Sequence, residues 1–386
     1  MARKDPKAER DGVRLDVEIA AGRAKTVREV FDEWFKAKII AGKRSTHTSK
    51  AYTWQVRRYV LNTIGDMPIA KVDTDTVLDK VGLRKLWSEP SANGGRHGVA
   101  KNLLSILTRL FSFAKANKYY TGPNPVAWKG HLEHVLPALK DVHRVEHRPD
   151  LPYQDVGRFM QVLRSYQDRS VRRLGRPNVA LLCEFIVLSG VRVSEARLAT
   201  YSEIDKATNV WTVPPEHHKI GGKTGLPHFV PITAPMWDVL HEMQRRRREQ
   251  GLPDHAPDAL IFPTERGLER GKGANAAFND SSVTGFLRVS LKWPNKKIVA
   301  HGFRTTLTSW WQANNYPELH RERQLGHLVQ GETKQAYERN PLTEERRPFM
   351  EAWGEYCSRP APEPGEAAAD NVESLAKARS KRRSGT

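Results

Sequence analysis

The sequence predicts a mainly α-helical protein with one small antiparallel β-sheet, divided into two domains. Apolar residues recur at helical intervals in both halves of the chain, and the pattern changes to that of strands only around residues 210–232. A segment rich in histidine, proline and charge separates the two halves. A length of 386 residues also favours two domains, because single domains usually hold about 100–200 residues.

The first half shows helical patterns that begin at a clear start signal. Thr26 and Glu29 have the spacing of a capping box. Helices are predicted over residues 26–39, 48–61, 73–81 and 99–118. The helix at 99–118 has a basic face opposite its apolar stripe, formed by Lys101, Arg109 and Lys115. This face is either a solvated surface or a set of phosphate contacts, and the residues alone leave both interpretations open.

The second half combines helices with a short strand pair. Strands are predicted at residues 210–213 and 229–232, around the glycine-rich turn 221–225. Helices are predicted over residues 153–167, 178–188, 235–250, 303–313, 317–325 and 332–339. The resulting division is a flexible arm at 1–25, a helical domain at 26–128, a linker at 129–151, a second domain at 152–358 and a disordered basic tail at 359–386.

The charge of the chain points to a polyanionic partner. Lysine and arginine number 63 against 44 acidic residues, a formal net charge of +19, and nucleic acid is the commonest cellular polyanion. The longest apolar stretch, residues 180–188, is far shorter than the ~20 residues that span a membrane, and no signal peptide is apparent. Two cysteines predict no disulfide framework, so a cytoplasmic location is expected. His143 and His147 lack further ligands, and no metal site is expected.

The glycine-rich turn resembles the end of a nucleotide-binding P-loop but does not match the complete P-loop motif. Gly222-Lys223-Thr224 would need a glycine at position 217, which is His217. A P-loop also lies between a strand and a helix, whereas this turn lies between two strands. The remaining interpretation is Lys223 at the tip of a hairpin, either exposed or reaching toward a ligand.

Two arginines stand at predicted helix ends. Arg192 follows the apolar helix and precedes Ser194, a candidate helix cap, and Arg304 stands three residues after His301. A guanidinium held between helix ends suits an anion, but a salt bridge to Glu195 or Glu203 is the plain alternative.

A histidine and a tyrosine follow near the end of the second half. His327 comes directly after the helix end Leu325-Gly326, and Tyr337 stands ten residues later. A tyrosine on a helix is usually packed. Its phenol is nevertheless a candidate nucleophile if arginines and a base surround the phosphate that it attacks.

These segments together resemble the tyrosine recombinase (phage integrase) family in order, type and spacing. The resemblance rests on Ser189-Gly190-Val191-Arg192-Val193-Ser194-Glu195, Lys223-Thr224-Gly225-Leu226-Pro227-His228-Phe229-Val230-Pro231, His301-x-x-Arg304, Leu325-Gly326-His327 and Tyr337. A weaker resemblance to the helical core-binding domain covers residues 45–81 and 99–128. Integrases of temperate phages and genomic islands are the most similar group.

The resemblance implies a catalytic role for six residues. Tyr337 would attack a DNA phosphodiester and form a 3′-phosphotyrosyl bond, while Arg192, Arg304 and His327 hold the nonbridging oxygens. Lys223 would protonate the leaving 5′-oxygen, and His301 would assist proton transfer at the nucleophile. Glu195 would orient the arginine region without reacting. No metal, ATP or other cofactor is implied.

The resemblance also implies an assembly on DNA. A core-binding domain and an α+β catalytic domain would form a C-shaped clamp on double-stranded attachment sites, as a homotetramer, with a DNA-bending host factor and an excisionase as further partners. Arg245 and Arg246 join Lys101, Arg109 and Lys115 as candidate DNA contacts. A topoisomerase of the type IB kind, which shares the chemistry, and a catalytically silent DNA-binding relative are the alternative functions.

Overall fold

The structure is a computed structural model, and it describes residues 25–40, 46–89, 96–142, 149–166, 177–249, 251, 257–265, 276–291, 293–294, 298–328 and 341–360. Contacts divide the chain into two compact units, Met1–Glu146 and His147–Thr386. The architecture is mainly α-helical with one three-stranded antiparallel sheet, as the sequence predicts. Among the described residues, no helix is both long enough and apolar enough to span a membrane.

The regular elements described in the first unit are all helical, and one isolated β-bridge joins Thr26 and Pro68. Its α-helices are α1 (Val27–Trp34), α2 (Thr46–Val56), α3 (Asn62–Ile64), α4 (Leu83–Ser88), α5 (His97–Ala116) and α6 (Leu139–Val142). Its π-helical stretches are Phe35–Ile40, Arg57–Leu61 and Thr76–Lys80, and its 3₁₀ turns are Ile69–Lys71 and Leu132–His134. The predicted capping box starts α1, since Glu29 accepts from the backbone N–H of Thr26 and Thr26 accepts from that of Glu29.

Helix α5 forms the centre of the first unit. It packs against α1, α2 and α4, and its buried stripe includes Leu103, Leu107 and Leu110. Lys101, Arg109 and Lys115 lie exposed on its other face. Leu132 and Leu136, inside the predicted linker, also pack into this core, so part of that linker belongs to the first unit.

The second unit surrounds its sheet with helices. These are α7 (Val156–Ser165), α8 (Asn178–Ser189), α9 (Val193–Arg197), α10 (Gly221–Thr224), α11 (Ala234–Glu249), α12 (Ser282–Gly285), α13 (Gly302–Ala313), α14 (Glu318–Gln324) and α15 (Thr343–Ser358). Tyr153–Asp155 and Tyr201–Glu203 are 3₁₀ turns, and Phe286–Ser290 is π-helical. Helix α8 is buried on nearly every side, because α7, α11, α13 and α15 all pack against it.

The sheet has the order β1 (Ile204–Asp205), β2 (Val210–Val213), β3 (His228–Pro231), and both pairs are antiparallel. Strand β2 has the predicted bounds, and β3 begins one residue earlier than predicted. The connection between them contains the short helix α10 rather than a simple turn.

Helix α15 is absent from the sequence prediction. Pro348 is the sixth residue of this helix and acts as a breaker signal, because an interior proline removes one backbone hydrogen bond and crowds the carbonyl four residues earlier. The spacing of Met350, Trp353 and Cys357 is nevertheless helical, and all three are buried. The predicted helix at 332–339 lies outside the described residues.

Candidate active site

Arg192 is held where helix α8 ends and helix α9 begins. It is the N-terminal cap residue of α9, and Ser194, the predicted cap, lies inside that helix. The guanidinium of Arg192 donates to Glu195 Oε1 (2.9 Å) and to the carbonyl of Gly326 (3.4 Å). The side chain retains 13% exposure. The sequence left open whether Arg192 forms a salt bridge or binds an anion, and its surroundings are compatible with both.

Arg304 lies on α13 and is more deeply buried, at 4% exposure. Its Nη1 donates to the carbonyl of Gly190 (2.8 Å), and its Nη2 donates to that of Leu325 (2.7 Å). Burial lowers the pKa of the Arg304 guanidinium to about 10, and the nearby charge of Arg192 contributes to this shift. Arg304 therefore keeps its charge at neutral pH although its side chain is buried.

His327 joins the two arginines from the end of α14. Its Nε2 lies 3.0 Å from Arg304 Nη2, and its Nδ1 lies 2.7 Å from Glu322 Oε2. Burial and the charges of Arg304 and Arg192 lower the pKa of His327 below its usual value, against the opposing effect of Glu322. Three of the six predicted catalytic residues thus lie together.

Two glycines shape this site, because both adopt the left-handed backbone region. Gly190 (φ +67°) ends α8, and Gly326 (φ +59°) follows α14. A Cβ on Gly190 would lie 2.4 Å from a methyl carbon of Leu307, and one on Gly326 would lie 2.6 Å from His218 Cε1. The carbonyls of the two glycines accept from Arg304 and Arg192, so these helix ends orient the guanidinium groups.

Glu195 lies beneath Arg192 in a fully buried cluster. Its carboxylate accepts from the Arg192 side chain and backbone and contacts His218 Nδ1 at 2.9 Å. Burial alone would raise its pKa, but the contacts with His218, His228 and Arg192 lower the pKa of Glu195 to about 2. The prediction that Glu195 orients the arginine region is compatible with these contacts.

His228, on β3, shares this cluster and is fully buried. Its Nε2 contacts the carbonyl of Arg323 (3.2 Å), and its Nδ1 has no hydrogen-bond partner among the described residues. Burial lowers the pKa of His228 to about 3, so the ring is neutral. Sequence reasoning assigned no role to His218 or His228, because their contacts to Glu195 join residues far apart in the chain.

The ligand-type atoms of Glu195, His218 and His228 lie within 4.8 Å of one another, a spacing that a metal ion could use. However, the Glu195 carboxylate already accepts from Arg192, and the positive charge of Arg304 also acts on the cluster. Coulomb repulsion therefore disfavours a divalent cation at this position. We interpret the cluster as a support for Arg192.

Of the other three predicted catalytic residues, two lie on described elements. His301 is the exposed cap residue of α13, one turn before Arg304. Lys223 lies on α10, in the connection between β2 and β3. Tyr337 lies outside the described residues.

The candidate DNA contacts in the second unit differ from each other. Arg246 is 2% exposed and donates to Glu242 and Asn178, so its proposed role in DNA contact is wrong for this conformation: an amphipathic helix turns this guanidinium inward. Arg245 is exposed and pairs with Glu242 and Glu249. It stays a candidate.

Comparison with known proteins gives matches along most of the chain. The profile of the phage integrase central domain matches residues 27–131. The chain is 24% identical to "Putative protein IntB" of Escherichia coli (strain K12), over 88% of this chain and 78% of that protein. It is 23% identical to the integrase of Enterobacteria phage P4, over 77% of this chain and 62% of that protein.

Solved structures with the same fold include a lambda integrase tetramer bound to a Holliday junction, with a TM-score of 0.56, 14% identity and coverage of 86% of this chain and 90% of that one. The Tn1549 transposon integrase in complex with a circular intermediate DNA has a TM-score of 0.57 and 14% identity, over 90% of this chain and 99% of that one. The matched central domain and the integrase relatives make this chain similar to the tyrosine recombinase (phage integrase) family, and the solved integrases share its fold.

Proposed function

We propose that this protein is a site-specific DNA recombinase, which cleaves and rejoins DNA strands through a 3′-phosphotyrosyl intermediate. The observation that carries the proposal is the convergence of Arg192, Arg304 and His327 at two glycine-containing helix ends. Two guanidinium groups, one of them buried, and a partly exposed imidazole suit a phosphodiester whose negative charge grows in the transition state. The integrase relatives and the shared fold support the same activity.

The arginines act as fixed donors in this proposal. Backbone carbonyls accept hydrogen bonds from some N–H groups of each guanidinium and so fix its orientation. The remaining N–H groups bind the nonbridging oxygens of the phosphate. Because the donors are oriented before DNA arrives, little reorganisation is needed when charge develops.

Bond making and breaking involve the remaining three residues. The phenol oxygen of Tyr337 attacks phosphorus, and the bond from phosphorus to the 5′-oxygen breaks. Lys223 gives a proton to that oxygen, and His301 takes the phenolic proton. The phosphotyrosyl bond keeps the energy of the broken phosphodiester, so a different 5′-hydroxyl can reverse the step and join new strands.

The partner is double-stranded DNA carrying an attachment site. Solved relatives include an integrase dimer on a core site and a tetramer on a Holliday junction, and we propose a homotetramer on paired sites here. The expected cytoplasmic location, DNA-bending host factor and excisionase stay predictions. The two units are proposed to bind DNA jointly as a clamp.

A two-site plasmid assay tests the function. Plasmids carrying the two ends of the mobile element that encodes the chain are incubated with the protein, and the products are separated by size. Recombinant products that require both sites support the proposal. Relaxation of supercoils on plasmids without the sites, with no recombinants, would instead identify a topoisomerase. DNA binding without either product would identify a silent relative.

A further inference from the structure

Glu322 lies beside His327 and is not one of the six predicted catalytic residues. It lies on α14, and His327 follows just after that helix ends. The backbone N–H of His327 donates to the carbonyl of Glu322 (2.9 Å), and Nδ1 of the same ring lies 2.7 Å from Glu322 Oε2. Both the backbone and the ring of His327 are therefore tied to one residue.

The carboxylate of Glu322 is itself held in place. Its second oxygen, Oε1, accepts from Arg321 Nε (3.0 Å) and Nη2 (2.9 Å). Burial would raise the pKa of Glu322, but the hydrogen bonds from His327 and Arg321 outweigh it and lower that pKa. An ionised carboxylate only accepts hydrogen bonds, so Nδ1 of His327 must carry a hydrogen.

The other ring nitrogen then has a defined state. A guanidinium only donates, so the contact of Arg304 Nη2 with His327 Nε2 at 3.0 Å requires a lone pair on Nε2. In the DNA-free protein His327 is therefore neutral, with its hydrogen on Nδ1. In that state Nε2 cannot donate to a phosphate oxygen that Arg304 would bind.

A phosphate bound by Arg304 changes this balance. Nonbridging oxygens that share one negative charge would face Nε2, and the ring must gain one proton from solvent to donate there. Among the described residues, the charged groups that act on His327 are Arg304 and Arg192, which oppose protonation, and Glu322, which favours it. Arg321 neutralises part of Glu322, and His218 and Thr224 line the small space on the other side of the ring.

We propose that Glu322 is a positioning residue, which aims Nε2 of His327 at the phosphate site and stabilises the proton that His327 gains when an anion binds. The proposal rests on the proposed function only for the identity of that anion as a DNA phosphate. Glu322 itself contacts no reacting atom.

The first test uses the free full-length protein and does not require activity. Histidine labelled with ¹⁵N reports the tautomer and titration of His327, which is assigned by its loss in His327→Asn. We expect hydrogen on Nδ1 at pH 7.5, and a rise in proton affinity on addition of inorganic phosphate. In Glu322→Gln the phosphate-bound proton affinity should fall about tenfold or more, because an opposite charge within hydrogen-bond distance is removed.

Glu318→Gln is the matched control. Glu318 lies on the same helix and pairs with the same Arg321, but among the described residues no hydrogen bond joins it to His327. It should leave the titration unchanged. Hydrogen on Nε2 in the wild type, or equal titration in the two glutamine variants, would overturn the proposal. If Glu322→Gln fails to fold, Glu322→Asp withdraws the carboxylate by one methylene and must lower the proton affinity in the same direction.

The second test uses covalent-adduct formation on a nicked duplex from the end of the encoding element. Loss of activity at high pH should begin at lower pH in Glu322→Gln than in the wild type or Glu318→Gln. Unchanged pH dependence with normal adduct formation would refute the role of Glu322 and leave the recombinase function intact. If the wild type forms no adduct, the proposed function fails, and the titration still decides the role of Glu322.

Discussion

At the scale of single residues, the proposed roles separate groups that would bind phosphate from a group that would transfer a proton. Arg192 and Arg304 are fixed by backbone carbonyls, whereas Lys223 lies on the separate connection between β2 and β3. The proposed roles therefore predict different responses to a change of leaving group.

Replacing Arg192 with alanine should reduce the cleavage rate about 10²–10³-fold, because one charge-stabilising donor is lost. Lys223→Ala should also be slow on ordinary DNA. A substrate with sulfur in place of the scissile 5′-oxygen should restore most of the rate of Lys223→Ala, since a thiolate leaves without a proton. Single-turnover cleavage rates on both substrates measure the effect. Equal rescue of both variants, or of neither, contradicts the assignment of Lys223 as the acid.

The buried His228 predicts how stability depends on pH. The folded protein keeps His228 neutral down to about pH 3, whereas the unfolded chain binds a proton near the usual pKa of 6.5. The unfolded state thus binds more protons below pH 6.5, and the free energy of unfolding should fall by about 1 kcal/mol per pH unit from this group as the pH drops toward 3.

Urea unfolding of the wild type and His228→Asn between pH 7 and pH 5 measures this slope. Glu195, with a pKa of about 2, changes the free energy of unfolding mainly below pH 4.5. Measurements above pH 4.5 therefore exclude its contribution. The exposed His241 provides the control substitution, His241→Asn, which should keep the wild-type slope. A wild-type slope that persists in His228→Asn contradicts the prediction.

At the scale of the elements, the residues of the site lie at helix ends. The sequence predicted α8, β2, β3, the helix α13 that carries Arg304 and the helix α14 that precedes His327, because their apolar periodicity is local. It could not predict that the carbonyls of Gly190 and Gly326 would hold the arginines, because these contacts join positions more than a hundred residues apart. The role of Glu322 was missed for a different reason, since its spacing of five residues from His327 matches no regular helical contact.

Gly190→Ala should reduce stability by about 1–3 kcal/mol, because alanine is strained at positive φ and its Cβ would strike Leu307. It should also slow cleavage, since the Gly190 carbonyl orients Arg304. Gly285→Ala is the control: it lies in α12, with open space around its Cβ, and should change stability little or raise it by about 0.4–1 kcal/mol. Denaturant midpoints check both, and equal behaviour of the two variants would contradict the prediction.

At the scale of the whole molecule, the net charge of +19 favours binding to a polyanion, and we propose that this is the DNA backbone. Exposed basic residues such as Arg109 in the first unit and Arg245 in the second are candidate contacts. If both units bind DNA, the affinity should fall steeply with salt, with a logarithmic slope of about −0.9 for each phosphate contacted.

Fluorescence anisotropy with a duplex, at several salt concentrations, measures that slope. Charge reversal at exposed Arg109 (Arg109→Glu) should reduce the slope, whereas Arg246→Gln should act mainly on stability because Arg246 is buried. A flat salt dependence of the full chain would contradict binding of DNA by both units.

The central claim is that Tyr337 forms a covalent bond with DNA beside the site built by Arg192, Arg304 and His327. The most direct measurement is mass spectrometry of the protein after reaction with a nicked duplex from the end of the encoding element. The proposed mechanism predicts one DNA-linked peptide containing Tyr337, and no adduct in Tyr337→Phe, which should still bind the duplex because only the phenolic oxygen is removed. An adduct that persists in Tyr337→Phe, or that maps to another residue, would contradict the claim.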